Sequence, residues 1–322
     1  MKFFFHHIPA SLHEALALLG PAARPLAGGT DLVTLMKPRL AEPDHLIAVR
    51  RVLPRGIRQK ADGVTLGAAT TLREIERDPL LNRRYTALSQ SAAVAATVQL
   101  RNVATIGGNL LQRPRCWYFR SPHVHCWLKG GERCPAREGE NRQHALFGEN
   151  PCVAVHPSDP AAALLAFDAY VRIAGPRGER AVALEEFFAL PEDGRRTETR
   201  LAQDELVLGI EMPSHPDETR STYVKAMDRA AFSFALAGVA AVLRVSSGGK
   251  IAHARLVLSG VAPIPWRAQA AEAVLLSSSF DQNLINDAAE AAVAGATPLR
   301  LNGFKVPLAR TLVRRALRAL VT

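Results

Sequence analysis

Apolar positions follow two rhythms along this chain, and the changes between them mark its elements. Phe3 to His6 reads as a short strand. Ser11-Leu12-His13-Glu14 is a capping box that opens a helix through Leu19, closed by Gly20. Arg24 to Ala27 is a second short strand, which passes through Gly28-Gly29-Thr30-Asp31 into another helix, and His45 to Arg50 is a third strand. From Gly56 the period shortens. Ile57 to Lys60 and Val64 to Ala68 flank Asp62-Gly63, a dipeptide that supplies the positive φ of a tight turn, so the segment reads as a hairpin. Thr71-Leu72-Arg73-Glu74 is a second capping box, followed by an alanine-rich helix around Ser89 to Ala96 and then by Thr105-Ile106-Gly107-Gly108-Asn109.

Residues 112–152 break the pattern. They are rich in Arg, His, Gly and Pro and show little apolar periodicity; a loop of this length inside a compact domain is usually functional. Order resumes at Ser158-Asp159-Pro160, which starts a helix through Phe167. Strands follow near Tyr170 to Ala174 and Leu206 to Met212, and Pro213 to Thr219 reads as a polar linker. Beyond it, Tyr223 to Ala226 and Val239 to Val245 are strands, Ser247-Gly248-Gly249 is a turn, and Ile251 to Ser259 is the return strand. Helices are expected over 267–277, 281–295 and 305–320.

Length and composition narrow the classes. A chain of 322 residues, 48% hydrophobic, is expected to form two or three domains around sizeable cores. No apolar run reaches the roughly 18 residues that span a bilayer. The N-terminal Met1-Lys2-Phe3-Phe4-Phe5-His6-His7 has no sustained apolar stretch or small-residue cleavage site, so folding in the cytoplasm is expected, with periplasmic export only beside a signal-bearing partner. The formal charge of +10 is carried by scattered arginines in isolated pairs such as Arg83-Arg84 and Arg314-Arg315. With 6% aromatics, not interleaved with those pairs, there is no base-stacking platform, and nucleic acid is not the expected partner.

All four cysteines, Cys116, Cys126, Cys134 and Cys152, fall in the irregular segment. In a reducing compartment, four cysteines clustered in a loop point to a metal rather than to disulfides. Structural zinc favours tight C-x(2–4)-C pairs. The intervals here, nine, seven and seventeen intervening residues, suit a larger iron–sulfur cluster; zinc and unmetallated thiols remain the alternatives on spacing alone. His123, His125, His144 and His156 lie in or beside the window and read as solvated loop histidines. The nearby Arg113, Arg115, Arg120, Lys129, Arg133 and Arg137 would offset cluster charge or form a docking face, or are simply solvated loop side chains.

There is no G-x-G-x-x-G and no G-x-x-x-x-G-K-[ST], so neither a Rossmann dinucleotide site nor a P-loop is supported. Two Gly-Gly turns follow apolar stretches instead, at Gly28-Gly29 and Gly107-Gly108. Glycine lets backbone N–H groups approach a phosphate closely, although each turn alone is also an ordinary structural one. Asp159 is either part of a helix cap or a carboxylate for a ribose hydroxyl. Lys225 is either an exposed strand lysine or a charge beside an anionic cofactor.

Taken together, Leu26-Ala27-Gly28-Gly29-Thr30-Asp31-Leu32, Arg101-Asn102-Val103-Ala104-Thr105-Ile106-Gly107-Gly108-Asn109, Ser158-Asp159, Glu205-Leu206-Val207-Leu208-Gly209-Ile210 and Tyr223-Val224-Lys225 with Arg229 resemble the FAD subunit of the xanthine dehydrogenase/aldehyde oxidoreductase family, also seen in carbon monoxide dehydrogenase. The resemblance spans nearly the whole chain in family order. It implies an α+β architecture: a two-lobed FAD-binding domain (lobes 1–55 and 56–215, the second carrying the insertion 112–152), then a C-terminal α/β domain over 220–322 with a small antiparallel sheet. It also implies roles. Leu26, Ala27, Gly28, Gly29, Thr30, Asp31 and Leu32 would cradle the FAD pyrophosphate, with Thr105, Gly107, Gly108 and Asn109 against the same region. Asp159 would hold the adenosine side, and Val207 and Lys225 would lie at the flavin. Most of the family runs directly from the Gly-Gly-Asn turn to the Ser-Asp turn. An insertion here resembles two branches that carry a 4Fe–4S cluster, the exported bacterial aldehyde oxidoreductases and the 4-hydroxybenzoyl-CoA reductases; Gly131-Glu132-Arg133-Cys134 and Glu140-Asn141-Arg142-Gln143-His144-Ala145 look closer to the first. The implied partners are a molybdopterin-binding large subunit, where substrate is oxidised, and a 2Fe–2S small subunit that passes electrons to FAD, with an external acceptor beyond; no catalytic base is expected in this chain. A zinc-stabilised, non-redox binding subunit and a free-standing flavin oxidase are the competing classes.

Overall fold

The computed structural model describes residues 1–276 and 278–321, and among these the strands form three sheets. The first is parallel, in the order β1-β3-β2, from β1 (Phe5–His7), β2 (Ala23–Leu26) and β3 (His45–Ala48). Its apolar face closes over Ala15, Ala23, Ile47 and Val49. The second is antiparallel, in the order β4-β5-β8-β6-β7, from β4 (Ile57–Lys60), β5 (Gly63–Gly67), β6 (Tyr170–Gly175), β7 (Gly178–Ala183) and β8 (Leu206–Pro213). The fully buried helix Asp159–Ala166 and the helix Thr86–Ala93 pack together in one core with Leu66, Phe167 and Ile210 on the side of this sheet and with Tyr223, Ala240, Val242 and Val257 from the last four strands of the chain. The third is antiparallel, in the order β12-β11-β10-β9, from β9 (Thr219–Ala226), β10 (Ala237–Val245), β11 (Ile251–Ser259) and β12 (Trp266–Arg267). Helices Gln269–Leu275, Gln282–Ala291 and Lys305–Ala319 cover one of its two apolar faces, and Ala240, Val242 and Val257 on the other join the core of the FAD-side helices Asp159–Ala166 and Thr86–Ala93.

Several expected boundaries move. The first strand is Phe5–His7 rather than Phe3 to His6, and the alanine-rich helix is Thr86–Ala93. Pro213 closes β8 and Thr219 opens β9, so the polar linker shrinks to the residues between them. The strand β7 was not anticipated. Its first four residues are exposed, so no apolar alternation marks it; it is an edge strand, held by its ladder to β6. The helix expected over 267–277 ends at Leu275, and residue 277 lies outside the described residues.

The segment 112–152 is more ordered than its composition indicates. It contains a short helix, Trp117–Arg120, and two 3-10 turns, Trp127–Lys129 and Pro135–Arg137. Phe119, Trp127, Leu128, Cys126, Cys152 and Ala154 form a small core with Leu35 from the first lobe. The expectation of solvated histidines holds for His123 and His125, which are exposed, and fails for His144 and His156, which are buried among the turns they join.

Candidate functional site

The two glycine turns, far apart in sequence, meet in space. A Cβ on Gly28 would lie 2.3 Å from the carbonyl oxygen of Val103 and 3.2 Å from Cα of Ala104, so the first turn lies directly against the backbone leading into Thr105. Gly28 is thus fixed by close approach of protein backbone. Gly29 is needed for its left-handed conformation, at φ +70°. Among the described residues, the N–H groups of Gly28, Gly29, Thr30 and Asp31 find no acceptor in the protein, which leaves a row of donors for an anion. Thr105 caps the helix Ile106–Leu110 through Gly108 N–H, while Ile106 and Gly107 donate to Thr70 and Ala68; a Cβ on Gly108 would meet only Thr105 Oγ1, at 3.1 Å.

From the second turn the contacts continue to the third segment. Ser158 Oγ donates to Asn109 Oδ1 (2.5 Å) and accepts from Ala161 N–H as the helix cap. Asp159, next in sequence, is buried with both carboxylate oxygens engaged: Lys225 Nζ at 2.7 Å on Oδ2 and Tyr223 Oη at 2.6 Å on Oδ1. Lys225 also donates to the carbonyls of Val94 and Ser233, and its side chain is 1% exposed, so it is not an exposed strand lysine. Burial raises the Asp159 carboxyl above its usual range even against Lys225 and Tyr223, and burial, then Asp159, pushes the Tyr223 hydroxyl well up. The segments carrying Leu26 to Leu32, Thr105 to Asn109, Asp159 and Lys225 are therefore joined by an unbroken run of contacts, with Asp159 and Lys225 buried within it. Val207 does not join them: it is 4% exposed in β8, opposite Ile173, in the core of the five-stranded sheet.

A cavity of about 400 Å³ opens beside these segments, lined by Thr34, Arg115, Cys116, Arg120, His156 and Asp159 among others. That volume falls within the roughly 300–1,000 Å³ of small-molecule sites. A second cavity, of about 380 Å³ near Arg180 and Arg200, touches none of the segments above. His156, at the wall of the first, accepts from Ser158 N–H on Nδ1 and donates from Nε2 to Leu110 O; burial holds it at about 4, so the ring is neutral.

The insertion supplies the opposite wall, and the cavity arginines are held by carboxylates. Asp31 accepts from Arg113 N–H (2.9 Å), Arg115 Nη1 (2.9 Å) and Arg120 Nη2 (2.7 Å); Glu198 pairs with Arg113 at 3.3 Å. Asp31 occupies the start of the helix Leu32–Met36 but makes no capping bond; its carboxylate faces the insertion, while its backbone faces the turn. Arg196 lies 4.7 Å from the Trp127 ring centroid and donates to the carbonyls of Trp127 and Gly131.

None of the four cysteines is in a disulfide. Cys116 lies close enough to Cys126 and Cys134 to feel both, Cys134 is hydrogen-bonded to Cys152, and His144 Nε2 is 3.2 Å from Cys116 Sγ. Backbone N–H groups point at the sulfurs: those of Tyr118 and Phe119 at Cys116, of Ala136 and Val153 at Cys134, and of Ala154 at Cys152. Burial raises the Cys116 thiol to about 11. The Cys152 bond holds Cys134 down at about 6, and the same bond, with burial, pushes Cys152 up. Among the described residues no three His, Cys, Asp or Glu side chains converge to hold a single metal ion.

Sequence reasoning missed the far support of this wall. Lys305, fully buried, donates to the carbonyls of His144 (2.8 Å) and Gly260 (2.6 Å), and burial lowers it to about 7. Asn302 donates to His144 and Ala145, and Asn141 accepts from Leu301 N–H. Nothing local in the sequence marks these residues, because each acts on a backbone group more than a hundred positions away.

Comparison with known proteins places the chain in a family. Residues 2–215 match the family described as FAD binding domain in molybdopterin dehydrogenase, and residues 222–320 match the CO dehydrogenase flavoprotein C-terminal domain. The chain belongs to the FAD-binding subunits of the xanthine dehydrogenase and CO dehydrogenase family of molybdenum hydroxylases, as an oxidoreductase subunit. It is 37% identical over 294 residues to the aldehyde oxidoreductase FAD-binding subunit PaoB of Escherichia coli (strain K12), covering 90% of this chain and 89% of that one. It is 32% identical over 324 residues to the carbon monoxide dehydrogenase medium chain of Hydrogenophaga pseudoflava, covering 98% and 96%. Among solved structures, carbon monoxide dehydrogenase from Hydrogenophaga pseudoflava, in a form lacking the Mo-pyranopterin moiety of its cofactor, matches with TM-score 0.79 at 31% identity over 99% of this chain and 97% of that one. Quinoline 2-oxidoreductase from Pseudomonas putida 86 matches at 0.75 and 25% identity, over 99% and 98%. The family resemblance and the α+β architecture with its C-terminal antiparallel sheet and helices both hold.

Proposed function

We propose that this chain is the FAD and 4Fe–4S subunit of a molybdenum-dependent aldehyde oxidoreductase. It takes electrons from the 2Fe–2S clusters of one partner subunit, while substrate is oxidised on a molybdopterin-binding partner, and passes them to an external acceptor. The observation that carries this reading is the shared wall: the cavity beside the two glycine turns and Asp159 is closed on its other side by Cys116, which, like Cys134 and Cys152, receives backbone N–H groups. Hydrogen bonds to sulfur are a normal part of cluster sites. The wide intervals between the four cysteines favour a cluster over zinc, which prefers tight pairs. The aldehyde assignment follows the 37% identity to PaoB.

Bound FAD would supply a carrier that accepts electrons from the partner and releases them to the acceptor. The chain's own part is to hold and tune. The free N–H groups of Gly28 to Asp31 would receive the pyrophosphate, with Gly108 giving room beside them. The buried Asp159 and Lys225 fix the Ser158 turn to β9, and the neutral His156 ties that turn to Leu110 without adding charge. Cys116, Cys126, Cys134 and Cys152 would ligate the cluster. The test is co-expression with the partner subunits under anaerobic conditions. Aldehyde should bleach the flavin absorption of the complex and leave that of the chain alone unchanged; bleaching of the chain alone would point to a free-standing flavin oxidase.

A further inference from the structure

We propose that Asp31 is a positioning residue that couples flavin binding to the order of the cysteine-rich insertion. This rests on the reading of the Gly28–Asp31 turn as the pyrophosphate cradle. A carboxylate in a turn whose free N–H groups receive an anion is, by itself, in the wrong place, since it repels what the turn attracts. The structure removes that conflict with charges from the insertion. Arg115 and Arg120 both reach Asp31 Oδ1, at 2.9 and 2.7 Å, and Arg113 N–H reaches Oδ2 at 2.9 Å. The Asp31 side chain is 15% exposed and that of Arg120 17%, so solvent screens the group only weakly. Two guanidinium groups and one carboxylate leave the cluster net positive beside the cradle.

Arg120 holds the arrangement together. Besides Asp31, it donates to Thr34 Oγ1 at 3.1 Å, on the helix that follows the turn, and to the carbonyls of Pro114 and Arg113 within the insertion. With the insertion docked, Asp31 is neutralised and the cradle favours an anion. With 113–120 loosened, a bare carboxylate faces it. An anion in the cradle must therefore favour the docked insertion, and the docked insertion must favour the anion, because binding free energies couple reciprocally.

The test uses the full chain, FAD titrated by fluorescence, and hydrogen–deuterium exchange over 113–120. Arg120→Gln should weaken FAD about tenfold, within the usual range of such couplings, and raise exchange over 113–120. Adding Asp31→Asn to Arg120→Gln should recover most of the FAD affinity, because the uncompensated carboxylate is gone. Arg120→Lys, which keeps the charge but not the fork of donors, should keep more FAD affinity than the glutamine variant while still raising exchange over 113–120. Direct contact between Arg120 and FAD predicts no recovery on adding Asp31→Asn, and that result overturns the proposal. So does unchanged FAD affinity in Arg120→Gln. A wild-type chain that binds no FAD overturns the cradle reading itself and the coupling with it, and is told apart by the wild-type titration alone.

Discussion

Gly28 and Gly108 look equivalent in the sequence, each in a Gly-Gly turn after an apolar stretch, but they do different work. Any side chain at Gly28 meets the Val103 carbonyl at 2.3 Å, so Gly28→Ala should pry the two turns apart and lose stability and flavin together. At Gly108 the only neighbour is Thr105 Oγ1 at 3.1 Å, a group able to rotate. Gly108→Ala should therefore keep the melting temperature of the parent and lose FAD affinity, as read by thermal denaturation beside a flavin titration; retention of full affinity would remove Gly108 from the phosphate site. The buried Asp159–Lys225 pair gives a second residue-scale prediction. Lys225→Met leaves a carboxylate buried without a cation and should cost about 3–5 kcal/mol in urea unfolding, and the Asp159→Asn/Lys225→Met double variant should recover a large part of it. Loss of the same stability in the double variant would mean that Lys225 works mainly through the Val94 and Ser233 carbonyls.

At the level of elements, what was legible followed local chemistry. Ser158 caps its helix, Thr71 and Glu74 form the capping box, and the apolar strands around Ser247-Gly248-Gly249 pair as a hairpin, because each is decided by residues a few positions apart. What stayed hidden is decided at long range. The strand β7 has no apolar face to announce it, and the insertion orders through Arg196 on Trp127, Asn302 on His144 and Asp31 on Arg120. The site was readable in the same measure: the glycine turns, Asp159 and the cysteines stand out in the sequence, whereas the Asp31 carboxylate turning away from its helix does not. His156 is a junction between elements, joining the end of one short helix at Leu110 to the turn that starts the next. Its fully buried ring sits at about 4 against an ordinary value near 6.5. The unfolded chain thus binds a proton that the folded one does not between those values, so stability falls as pH drops from about 6.5 to about 4, by up to about 3 kcal/mol. Replacing His156 with Gln should flatten that part of the pH profile in denaturant melts; an unchanged slope would place the acid sensitivity elsewhere.

At the scale of the whole molecule, side chains from the C-terminal part cross to the rest of the chain. Tyr223 and Lys225 of β9 hold Asp159 of the FAD-binding part, and Lys305 and Asn302 of the C-terminal part hold the cysteine insertion. Such cross-ties are what a carrier subunit needs, because electron transfer between cofactors depends on their being held at fixed separation. The formal charge of +10 suits a chain of a FAD-binding family, whose dinucleotide is anionic. The cofactors themselves are the most direct check. The chain, purified without air alongside its partner subunits and then separated, should yield one FAD, with four iron and four acid-labile sulfide per chain, and the iron and sulfide should vanish together in Cys126→Ser while the FAD remains. FAD without iron would leave the flavin site standing and remove the cluster from the account, zinc in place of iron would replace the cluster with a structural metal, and absence of FAD would contradict the account at its centre.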